Sequence, residues 1–149
     1  MFGKFMIAVF SISLLTVEGC SSTGYATKEN LVVPHTIRTP TNIPPEVVPY
    51  VPKYVEALRA KGFAVGQTND PRALDLVFEF NGNPFNLRVS AGLWRQGVPV
   101  LTGSATNSGW GTAIARGSAV NSLAEKSVAQ FRTELESFAS RVQVVPDAP

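Results

Sequence analysis

Apolar and polar residues alternate strictly around position 77, with Leu74, Leu76, Phe78 and Phe80 in one phase and Asp75, Val77 and Glu79 in the other. A period of two is that of a strand laid with one face on a core. Asn81-Gly82-Asn83-Pro84 is turn chemistry, and Phe85, Leu87, Val89, Ala91 and Leu93 then resume the alternation against Asn86, Arg88 and Ser90. The pattern predicts an antiparallel hairpin. Arg95-Gln96-Gly97 turns the chain into a third strand over residues 98–107, where Pro99 predicts an edge position or a bulge near the strand's start. Ser108-Gly109-Trp110-Gly111-Thr112 reads as a loop, and beyond it the period becomes helical. Val120, Leu123, Ser127, Phe131, Leu135, Phe138 and Val142 recur at three- and four-residue steps, the stripe of a long last helix.

The amino-terminal half is less periodic. Residues 21–30 are small and polar, the composition of a tether. A short strand is expected over 31–38, confined by Pro34 to an edge or bulge. Pro40, Pro44, Pro45, Pro49 and Pro52 stiffen the next segment and lead into a helix over 49–61, because proline is tolerated in a helix's first turn. Val51, Tyr54, Val55 and Leu58 share one face of that helix, and Gly62 supplies its left-handed stop. A strand over 63–67 and a turn at Thr68-Asn69-Asp70-Pro71 follow, and residues 142–145 close the chain with a short strand. The expected architecture is α+β: a two-layer sandwich with a mainly antiparallel sheet of three to five strands. A short first helix and the long C-terminal helix pack on one face, and the other face stays partly open.

The first twenty residues have a different pattern. Lys4 precedes an apolar run over residues 5–17, the length of a secretory h-region and too short to span a bilayer. It ends in Leu15-Thr16-Val17-Glu18-Gly19-Cys20, which resembles a bacterial lipobox: an aliphatic residue three before the cysteine, a small residue just before it, then Cys. Glu18 departs from the small residue usual at the middle position. The resemblance implies cleavage before Cys20 and lipid on its sulfur, so that the membrane is a partner through Cys20. Ser21 and Ser22, with no aspartate, resemble lipoproteins sent to the outer membrane, facing the periplasm. The expected organisation is a signal peptide over 1–19, lipidated Cys20 and a tether over 20–48, one domain over 49–145 and a tail over 146–149.

Removing the first 19 of 149 residues leaves 130, enough for one domain. With 44% hydrophobic and 16% charged residues the chain can bury a core, and a net charge of +2 argues against a nucleic-acid binder. Cys20 is the single cysteine, so no internal disulfide forms. His35 is the single histidine and lacks a second soft ligand once Cys20 is acylated, so neither metal nor other cofactor is expected. No Gly-x-Ser-x-Gly nucleophile setting and no phosphate-loop spacing appear, which leaves no support for an enzyme or a nucleotide site. Asp75 and Glu79 share a strand face about 13 Å apart, too far for a glycosidase pair. Trp94, Arg95 and Trp110 are the candidate partner-binding residues, with Arg88 and Arg116 as a polar rim; against this stands the more usual fate of a large aromatic, in which each tryptophan folds back over the core edge.

Gly62, Phe63, Val65, Ala73 and Asp75, then the hairpin, then Ala119, Val120, Leu123 and Phe131 on the last helix, follow a known order. Over residues 49–142 the layout is similar to that of small envelope lipoproteins whose domain resembles the amino-terminal domain of TolB, among them the lipopolysaccharide-assembly lipoprotein LptE. The resemblance implies a non-enzymatic accessory or binding module with an envelope protein partner. The alternative expectation is a periplasmic cell-wall or carbohydrate binder in which Trp94 and Trp110 stack on sugar rings.

Overall fold

A computed structural model describes residues 20–109 and 116–149. The elements are β1 (Ser21–Ala26), β2 (Val32–Pro34), β3 (Thr36–Arg38), a 3-10 turn (Val48–Tyr50) running into α1 (Val51–Ala60), and β4 (Ala64–Gly66). Then come β5 (Asp75–Asn83), β6 (Asn86–Arg95), β7 (Val98–Ser108), α2 (Arg116–Ala139) and β8 (Gln143–Val145). The fold is α+β. Among the described residues, six strands form one sheet in the order β1-β7-β6-β5-β3-β4, and β2 pairs with β8 apart from it. The long helix α2 lies across the sheet against β1, β6 and β7.

The meander follows the alternation. β5 and β6 pair antiparallel from Asp75↔Trp94 to Asn83↔Asn86. The turn therefore sits two residues later than the sequence suggests, on Pro84 and Phe85. Proline's fixed φ suits a turn, and Asn83 Oδ1 accepts the Phe85 N–H at 2.9 Å, an Asx turn. Gln96 and Gly97 both have positive φ (50° and 79°), the requirement of a tight hairpin between β6 and β7. The register slips between Leu93 and Trp94, where Leu93 pairs with Leu101 but Trp94 with Pro99. Pro99 thus sits at a bulge near the start of its strand, past the level where β1 has ended at Ala26↔Leu101.

Residues 21–48, read as a tether, belong to the folded body. Ser21–Ala26 is strand β1, antiparallel to β7 from Ser21↔Thr106 to Ala26↔Leu101, which raises the sheet from the expected three to five strands to six. Its side chains are exposed apart from Ala26, so the hydrogen bonds to β7 hold it rather than an apolar face. The single strand expected over 31–38 is two. β2 pairs parallel with β8, and β3 pairs parallel with β4 and touches β5 at Arg38↔Asp75. Val33, Ile37 and Val47 are fully buried in the core this creates.

Helix α2 buries Val120, Leu123, Ser127, Phe131, Leu135 and Phe138 of the predicted stripe, together with Ala124 and Val128, and it ends at Ala139, so Val142 lies beyond it. Its close approach to β7 depends on Gly103, where a Cβ would meet the Phe131 Cα at 2.6 Å. Ser127, a hydroxyl inside an apolar stripe, is completed there: Tyr54 donates to its Oγ at 2.9 Å, and the Ser127 hydroxyl donates to the Gly103 carbonyl at 3.0 Å. Tyr54 also meets Phe78 and Phe131 edge to face, with ring centroids 5.1 and 5.3 Å away. Burial pushes its hydroxyl pKa up to about 12, against the lowering effect of the Ser127 bond. Helix α1 ends as expected at Gly62, with φ +88°.

Candidate functional site

Cys20 lies one residue before β1, at the end of the sheet where Ser21 pairs with Thr106. Its side chain is partly exposed and packs against the core rim. The Lys126 ammonium donates to its Sγ at 2.8 Å from the exposed surface of α2. The β5–β6 turn is at this same end, because Asn86 pairs with Ser108 and Gly109 N–H donates to Phe85 O at 2.9 Å. Phe85 is 48% exposed at the tip. Arg88, also exposed, pairs with Thr106 on the sheet face opposite α2.

Of the candidate contact residues, Trp94 and Arg95 are not at this end. Trp94 and Arg95 close β6 at the opposite end, opposite Pro99 and Val98. Along β7 that is seven residues from Thr106, about 24 Å by strand rise. Trp110 lies outside the described residues. Both Trp94 and Arg95 are half-buried, and Trp94 folds back over Gly92: a Cβ at Gly92 would meet its indole Nε1 at 3.1 Å. Glycine at that position makes room for the ring. Tyr25, 49% exposed, stands on the same sheet face, since Thr102 pairs with Tyr25 on one side and Gly92 on the other. Thr23 and Ser104 share a hydroxyl hydrogen bond of 3.0 Å beside this row.

A second polar group, which sequence reading missed, gathers around Asp70. This aspartate is 1% exposed, and its carboxylate accepts Arg72 N at 2.9 Å, Arg72 Nε at 3.0 Å, Arg72 Nη2 at 2.7 Å and Ala148 N at 2.9 Å. The Arg72 guanidinium and the Ala148 amide hold its pKa well below the usual carboxylate range. Asp147 accepts Thr36 N at 2.9 Å, and hydrogen bonding to Thr36 lowers its pKa too. These bonds, with His35 N donating to Val145 O at 2.8 Å, strap the C-terminal residues to the body. The signal for Asp70 was its place in the Thr-Asn-Asp-Pro turn, but its partner at 148 is 78 residues away. The His35 side chain is exposed, and its backbone N–H donates to Val145 O while its carbonyl accepts the Ala64 N–H.

Asp75 is bound by Arg38 Nη1 at 2.8 Å, and Arg38 also donates to Asp70 O at 2.7 Å. Asp75 therefore neutralises an arginine, while Glu79 stays exposed on its strand. An open trough of about 780 Å³ runs between residues 41–44 and Phe78, Glu79, Phe80 and Asn81, with Glu79 its one titratable lining group. Among the described residues no group of three or more His, Cys, Asp or Glu side chains is placed to hold a metal ion.

No family model and no curated protein matches the chain. Among solved structures it is similar to PelC from Paraburkholderia phytofirmans, a dodecamer, with a TM-score of 0.34 and 12% identity over 83% of this chain and 99% of that one. A point variant of PelC from the same organism, also a dodecamer, gives a TM-score of 0.35 and 13% identity over 83% of this chain and 98% of that one.

Proposed function

We propose that the chain is an envelope lipoprotein, cleaved before Cys20, anchored through lipid on its sulfur in the outer membrane, and acting as a non-enzymatic accessory or binding module. One observation carries the reading. β1 begins at Ser21, so cleavage before Cys20 would leave every described element intact, with the sulfur partly exposed at the edge of the body. Among the described residues no helix is long and apolar enough to cross a membrane. Acyl chains, at about 0.8 kcal/mol per buried methylene, would supply the attachment. The test is intact mass and membrane fractionation of the chain expressed in a Gram-negative host, beside Cys20→Ala. A lipid-shifted mass in the outer-membrane fraction, lost in the variant, supports the reading, and an unmodified Cys20 refutes it.

A second reading, carbohydrate binding, is favoured by Tyr25 and Trp94, which flank Thr102 and the Thr23–Ser104 hydroxyls on the open face. Two strand spacings separate the rows that carry them, about 10 Å. Retention on purified peptidoglycan, lost on Tyr25→Ala and Trp94→Ala, would favour it; no retention would leave the accessory reading alone.

A further inference from the structure

We infer that the lipidated domain is seated directly on the bilayer, with the Cys20 end of the sheet against the headgroups and the Gln96–Gly97 turn pointing away. The inference rests on the proposed lipidation of Cys20. It follows from the residues between that anchor and the fold. A flexible tether over residues 20–48 would let the domain wander by roughly 30 Å, taking about 5–6 Å times the square root of its length. The tether is instead strand. Ser21 is already paired with Thr106, so the slack is a single residue, at most about 3.6 Å.

The register then fixes which surface meets the lipid. Cys20 continues β1 past the level of Thr106, and Ser108 and Asn86 lie about one residue beyond Cys20 in the same direction, roughly 3.4 Å by strand rise. The Pro84–Phe85 tip stands just beyond them. It is displaced sideways from β1 by between two and three strand spacings, about 12 Å. An interfacial layer is roughly 5–7 Å thick on each side of the hydrocarbon, so with the sulfur at headgroup level the tip reaches into that layer. Phe85, 48% exposed, is an aromatic of the kind that settles there. Lys126, whose ammonium lies 2.8 Å from the sulfur, is exposed beside the acyl attachment, where a headgroup phosphate would be its counter-ion. At the other end Val98 is 61% exposed, ten residues from Ser108 along β7 and about 34 Å away.

The experiment uses the lipidated full chain in phosphatidylcholine vesicles containing lipids brominated near the headgroup. Acylation blocks Cys20, so Phe85→Cys or Val98→Cys offers the one free thiol for an environment-sensitive fluorophore. A label at 85 should lose fluorescence to the brominated lipid, and a label at 98 should not. A flexible insert of about ten glycine and serine residues between Cys20 and Ser21 should abolish the loss at 85 while leaving mass and vesicle flotation unchanged. Lipid on Cys20 by mass, flotation with the vesicles, and no quenching at 85 would overturn the seating and leave the lipoprotein reading standing. Stronger quenching at 98 than at 85 would overturn the orientation. An unmodified Cys20 would overturn both.

Discussion

Replacing Gly103 by alanine sets a methyl carbon 2.6 Å from the Phe131 Cα and 2.9 Å from its Cβ, and closer still to the Phe131 backbone nitrogen. Ordinary contacts between such atoms lie near 3.5–4.0 Å, so α2 must retreat from β7 by about 1 Å. The obstruction is helix backbone, which no rotamer change relieves. Overpacking of this kind costs about 1–3 kcal/mol. The same movement lengthens the 3.0 Å bond from Ser127 to the Gly103 carbonyl, worth roughly 0.5–1.5 kcal/mol. The expected loss is therefore about 2–4 kcal/mol, a large part of the 5–15 kcal/mol typical of a domain. Urea unfolding of Gly103→Ala beside its parent, both as residues 20–149 with Cys20→Ala so that neither the apolar run nor lipid is attached, measures it. Gly117→Ala is the control: this glycine is exposed on the first turn of α2, a Cβ there would meet nothing within 4 Å among the described residues, and alanine should be neutral or stabilising by up to about 1 kcal/mol. A Gly103→Ala midpoint equal to the parent's would show that α2 does not pack on β7 through this contact.

Three further predictions test other parts of the structure. Tyr54→Phe removes one buried hydrogen bond and should cost about 0.5–1.5 kcal/mol, whereas Ser127→Ala leaves the buried Tyr54 hydroxyl without its acceptor and should cost more, about 1–3 kcal/mol. Equal losses in urea unfolding would contradict the chain of donors. The Asp70 carboxyl is held below its unfolded value near 3.9, so its contribution is present above that pH and is lost as the pH falls through and below it. Asp70→Asn should flatten the acid limb of stability against pH, and an unchanged limb would sink the assignment. Removal of residues 147–149 takes away the acceptor of the Thr36 amide, whose hydrogen exchange should quicken; unchanged protection would mean the strap is not formed in solution.

The sequence alone was enough for α2 and the β5–β6–β7 meander, because each advertises its burial locally, through a period of three to four or of two. Gly62 and the Gln96-Gly97 turn were legible for a similar reason, since a positive φ restricts which residues can serve. Cys20 was legible from the apolar run ahead of it, as a resemblance in sequence rather than a feature of the fold. Tertiary structure decided what local pattern does not encode. Ser21–Ala26 has no apolar face to betray it and became a strand because β7 offered it a free edge. β2 and β8 exist only through each other, more than a hundred residues apart, with Asp70 and Asp147 fastening the chain end beside them. The distance between Cys20 and Trp94 depends on how far the paired strands run, and the inward turn of Trp94 on the absence of a side chain at Gly92. Strand pairing and close packing draw on atoms distant in the chain, and for that reason the single apparent tether proved to be part of the sheet.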